Sequence, residues 1–72
     1  MSDMELLAKE LSEAGIDFDD LQPGQISVYT FKQKDVKLAQ KLAKEYGFYF
    51  EAYMPVDKAN DKAGEFFITE KK

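Results

Sequence analysis

The sequence predicts an α+β fold in the chain order α-β-α-β-β, a three-stranded sheet with two helices on one face. Three observations predict it. Apolar residues recur at spacings of three and four over residues 4–14 and 36–46, as one face of a helix requires. They alternate at strand spacing around Ile26, Phe50 and Phe66. Gly15, Pro23-Gly24, Gly47 and Pro55 fall between these segments, where a chain turns. At 72 residues the chain makes one small domain, residues 1–72.

The first helix is expected over residues 3–14. Ser2 and Glu5 have the spacing of a capping box, in which each side chain satisfies a free amide at the helix start. Met4, Leu7, Leu11 and Ala14 share its buried face, and Lys9, Glu10 and Glu13 stay in water. Gly15 supplies the left-handed residue that ends a helix, with Ile16 closing the cap. Residues 17–25 read as a loop, because Asp17, Asp19 and Asp20 surround Phe18 and a Pro-Gly turn follows. Phe18 and Leu21 tuck under the edge of the core.

The first strand is expected over 25–32, with Ile26, Val28 and Thr30 on one side and Ser27, Tyr29 and Phe31 on the other. The second helix follows over 34–46. Its apolar stripe is Val36, Ala39, Leu42, Ala43 and Tyr46, with Leu38 beside it, and Gly47 is its stop. The second strand, 48–54, places Phe48, Phe50, Ala52 and Met54 on one face and Tyr49, Glu51 and Tyr53 on the other. Residues 55–64 are small and charged and read as a loop with a mobile tip. The third strand, 65–70, carries Phe66 and Ile68 on one side and Phe67 and Thr69 on the other. Three consecutive apolar residues suit a central strand, so the expected spatial order is 1-3-2. This is a half-ferredoxin-like sheet with an extra leading helix.

If both helices cover the same face, alternation leaves Tyr29, Phe31, Tyr49, Tyr53 and Phe67 together on the other. An uncovered aromatic patch marks a contact surface, and tyrosine and phenylalanine are enriched at protein interfaces. These five residues are therefore the candidate partner-binding site, for another protein or for a second copy of the chain. A chain this short also buries a small core and gains from a partner. The competing structural reading is that tyrosines pack across strands on an open sheet and keep their hydroxyls wet.

Composition narrows the chemistry. The chain holds ten lysines, no arginine and fourteen acids, a net charge of −4. It has no cysteine, histidine or tryptophan. That removes disulfides, thiolate chemistry, the commonest general base and the commonest metal-binding ring. Asp17, Asp19 and Asp20 start like a calcium loop, but the fifth and sixth positions are Leu21 and Gln22, so the pattern fails. No phosphate-binding glycine loop and no nucleophile elbow is present. We expect no enzyme, no metal and no cofactor.

Charge is unevenly spread. Residues 1–31 carry one lysine and seven acids, while 32–46 carry five lysines and two acids. Lys34, Lys37, Lys41 and Lys44 line one side of the second helix, a candidate electrostatic contact; as an alternative they form a solvated face that attracts the acidic first helix. Phosphate binding runs on Lys and Arg, and an acidic chain without arginine disfavours nucleic acid. Stacking of single-stranded bases on the tyrosines remains the weaker alternative. No apolar run spans a bilayer and residues 1–9 lack the pattern of a signal peptide, so the expected setting is cytoplasmic, with no membrane contact.

The pattern resembles the ribonuclease E inhibitor family, the regulator of ribonuclease activity B type. The similarity lies in Ala14-Gly15-Ile16-Asp17 at the end of the first helix and in Ser27-Val28-Tyr29-Thr30-Phe31. It continues through the helix around Ala39, Leu42 and Ala43 to Gly47-Phe48, and spans residues 5–69. The resemblance implies a non-catalytic protein that binds and restrains an enzyme.

Overall fold

The computed structural model describes residues 3–70. Two helices and four strands follow one another as α1 (Asp3–Glu13), β1 (Phe18–Gln22), β2 (Gln25–Thr30), α2 (Gln33–Glu45), β3 (Tyr49–Met54) and β4 (Gly64–Thr69). The strands form one antiparallel sheet in the order β1-β2-β4-β3. The fold is α+β, but the expected three-stranded sheet in the order α-β-α-β-β is wrong. The chain reads α-β-β-α-β-β, because residues 18–22 pair with β2 instead of forming a loop.

The physical reason for the extra strand is the turn. Gln22 and Gln25 face each other across Pro23-Gly24, and Gly24 has φ +81°. Proline followed by a residue of positive φ is the chemistry of a type II turn, which folds β1 back onto β2. The turn is docked on the end of β4: the Glu70 amide donates to the Gly24 carbonyl at 2.6 Å. A Cβ at Gly24 would come within 2.9 Å of a Glu70 carboxylate oxygen, so glycine is needed there twice over. The aspartates of β1 are poor strand formers, but β1 is an edge, and charge on an edge strand deters pairing with other chains.

Both helices end on the same device. The Ile16 amide reaches back to the Leu11 carbonyl at 2.9 Å and Gly15 to Ser12 at 3.0 Å. The Phe48 amide reaches Ala43 at 2.8 Å and Gly47 reaches Lys44 at 3.1 Å. This pair of bonds is the Schellman motif, and it needs the positive φ of Gly15 and Gly47. The proposed Ser2 cap lies outside the described residues. At the start of α2, the buried Thr30 hydroxyl donates to Asp35 at 3.1 Å and accepts from the Lys32 amide at 3.1 Å, which ties β2 to the first turn of the helix.

One core joins the layers. Met4, Leu7 and Leu11 from α1 and Val36, Ala39, Leu42 and Ala43 from α2 pack with Ile26, Val28, Phe66 and Ile68 of the sheet. Both helices therefore lie on the same sheet face. Ala14, expected on the buried side of α1, is exposed, since the helix ends before it. The 55–64 segment is more ordered than a mobile tip. Asp57 and Lys62 exchange two backbone hydrogen bonds of 2.9 and 2.8 Å, and the Asp57 carboxylate accepts from the Asn60 side chain at 2.7 Å.

Candidate functional site

Alternation along the strands sorts the sheet into a helix-covered face and an open one. On β2, Ile26, Val28 and Thr30 are buried while Tyr29 is exposed; on β4, Gly64, Phe66 and Ile68 are buried while Glu65 is exposed. Cross-strand pairing then gives the layout of the open face. Tyr49 sits opposite Thr69, Glu51 opposite Phe67, Ser27 opposite Phe67 and Tyr29 opposite Glu65. Tyr49, Phe67 and Tyr29 thus run diagonally over three strands. Diagonal neighbours are about 7–8 Å apart at their Cα atoms, within reach of aromatic rings. Phe31 lies just beyond β2 and meets Tyr29 edge-on, with centroids 5.7 Å apart. Glu51 and Glu65 flank the aromatic row, each directly across from one of its rings.

Tyr53 does not belong to this face, which corrects the expected set. The register of β3 against β4 slips between Glu51 and Met54, and Ala52 takes φ +53°. The slip is a β-bulge, an extra residue that reverses the side-chain alternation beyond it. Tyr53 turns to the helix side, where its ring lies 5.5 Å from Phe50 and its hydroxyl accepts a 3.2 Å hydrogen bond from Gln33 of α2. Met54, expected on the covered side, takes the open-face position opposite Glu65 and is 60% exposed.

The rest of the open face is polar and ordered. Gln22 donates to Gln25, Gln25 donates to Thr69, and Thr69 donates to Glu51, at 2.9, 3.1 and 2.9 Å. This chain of side chains crosses all four strands and holds the Glu51 carboxylate in place. Asp19, opposite Ser27, adds a third acid. It helps line a shallow basin of about 310 Å³ with Asp17, Ser27, Tyr29 and Glu65. Asp19 and Asp20 point to opposite faces of β1, so the acidic run does not converge as a metal loop would need. Sequence reasoning missed Asp19, Gln22, Gln25 and Met54 as members of this face. The Pro-Gly turn held the signal for the first three.

Lys34, Lys37, Lys41 and Lys44 are exposed on α2, which covers the opposite face. The structure does not bring them to the aromatic row. Tyr46 at the end of α2 donates to Glu10 of α1 at 2.7 Å, and that bond raises its proton affinity above the usual tyrosine range. Asp57 is held below the usual carboxylate range by its hydrogen bonds from Asn60. Both lie off the open face.

The open face can bury aromatic rings against a partner and pair its carboxylates with cations. Among the described residues, no lysine lies on the strands of this face, and Lys32 stands at its margin beside Tyr29 and Phe31. Among the described residues, no helix is long and apolar enough to cross a membrane. No family model, curated protein or solved structure matches the chain.

Proposed function

We propose that this chain is a non-enzymatic protein-binding module, a small regulator, inhibitor or adaptor that works through the open face of its sheet in the cytoplasm. The observation that carries the reading is one sheet face without a helix over it, where Tyr49, Phe67 and Tyr29 form a row edged by Glu51 and Glu65. Aromatic rings anchor interfaces because they bury large area at small entropic cost. The acids choose the partner. A surface whose described strand residues carry Asp19, Glu51 and Glu65 and no lysine favours a protein patch rich in lysine or arginine. The same acids oppose nucleic acid, and they set like charges against each other if two copies meet through this face. The resemblance to the ribonuclease E inhibitor family supports the same reading, a protein that restrains an enzyme by binding it.

The test is the double variant Tyr49→Ala with Phe67→Ala in affinity capture from cell extract. Loss of two anchors of about 2 kcal/mol or more each lowers affinity by at least about a thousandfold. The folded variant should lose the partner that the parent chain retains. A folded variant that keeps every partner would refute the proposal.

A further inference from the structure

We propose that the groove between α1 and the β1–β2 hairpin is a second docking site, one that takes a cationic amphipathic helix from a partner protein. The groove opens on the helix side of the sheet, away from the aromatic row. It arises because α1 buries Met4, Leu7 and Leu11 near α2, while the edge hairpin extends the sheet past the helix. Its volume is about 690 Å³.

The lining is of two kinds. Met4, Ala8, Phe18, Leu21, Pro23 and Ile26 make an apolar floor and walls. Leu21 sits at the bulge of β1 between Asp20 and Gln22 and is 50% exposed, so it projects an apolar side chain that the fold itself does not cover. Among the described residues, the charged ones that line it are Glu5, Asp20 and Glu70, all acids. An apolar trough with Asp20 and Glu70 at its rim complements a helix with leucine-like residues on one face and lysine or arginine on its flanks. An added strand fits less well. The β1 edge keeps continuous register only over Phe18–Asp20 before its bulge, and the adjacent acids Asp19 and Asp20 deter main-chain pairing.

The probe is a synthetic helical peptide with leucine on one face and lysine on the other, titrated into the nitrogen-15-labelled full chain. A scrambled peptide of the same composition is the control. The amides of Ala8, Leu21, Gly24 and Ile26 should shift, and the ordered peptide should bind about tenfold more tightly than the scrambled one. Asp20→Lys and Leu21→Ser should each weaken binding about tenfold, while Tyr49→Ala with Phe67→Ala leaves it unchanged. Asp20→Asn removes the charge with the shape kept, and serves if a harsher variant loses the dispersion of the folded spectrum. Shifts confined to the open face, equal affinity for the scrambled peptide, or no saturable shift would overturn the proposal. So would salt-sensitive self-association abolished by Asp20→Lys, since the occupant would then be the lysine-bearing α2 of a second copy. Failure here leaves the open-face proposal standing, because the two sets of variants share no residue.

Discussion

Ala52→Gly should make the protein more stable. Ala52 is an exposed residue with φ +53°. Left-handed backbone costs an L-residue roughly 1–2 kcal/mol because Cβ crowds the next carbonyl. Glycine escapes that cost, although its freer unfolded chain returns about 0.4–1 kcal/mol. The difference is a net gain of about 0.5–1 kcal/mol, and an exposed methyl loses little packing. In an ordinary strand the same change would cost about 0.5–1 kcal/mol, so the sign separates the two cases. Urea unfolding followed by circular dichroism reads it directly. The midpoint should rise with the slope unchanged, and the melting temperature should rise by about 4 °C. A fall in midpoint would mean that β3 runs straight through residue 52, and that Tyr53 shares a face with Tyr49 after all.

Further outcomes follow from the same geometry. Phe66 is 1% exposed, so Phe66→Ala should cost about 3–5 kcal/mol in urea titration, most of the margin of a small domain; Phe67→Ala on the open face should cost less. At Gly47, φ is +75° and a Cβ would meet nothing within 4 Å, so Gly47→Ala should cost about 1 kcal/mol through the backbone alone. Asp57 is held below its ordinary value of 3.8 by Asn60. Its contribution is present above that pH and is lost as pH falls through the lower folded value. The Asn60 amide resonance should report this with a midpoint below 3.8. Tyr46 has the opposite sign, since its bond to Glu10 favours the protonated hydroxyl. That contribution is present below pH 10.0 and is lost as pH rises through the higher folded value. In an ultraviolet titration Tyr46 should ionise above its ordinary value of 10.0, and Glu10→Ala should lower it.

The helices were legible because their signals are redundant. Met4, Leu7 and Leu11, and Val36, Ala39, Leu42 and Ala43, keep helical spacing, and each run stops at a glycine that the backbone requires. The alternation of β2 and β4 was legible for the same reason. Strand β1 was hidden by its aspartates, which speak against a strand on propensity and for an edge on negative charge. The bulge in β3 was hidden more deeply. Alanine gives no sign of a positive φ, so nothing in Tyr49–Met54 marks where the alternation reverses. One backbone angle therefore moved Tyr53 off the candidate surface and put Met54 on it. Of the acids on that surface, Glu51 and Glu65 were legible from the alternation of β3 and β4, while Asp19 stayed out of reach until β1 was known.

The open face can be tested in place with a photo-crosslinking amino acid substituted at Tyr49, and at Leu38 on α2 as the control. Irradiation in cell extract should couple the chain with the probe at residue 49 to a discrete protein, and leave the chain with the probe at residue 38 uncoupled. Crosslinks from residue 38 alone, or none from either position, would contradict a docking role for the uncovered side of the sheet.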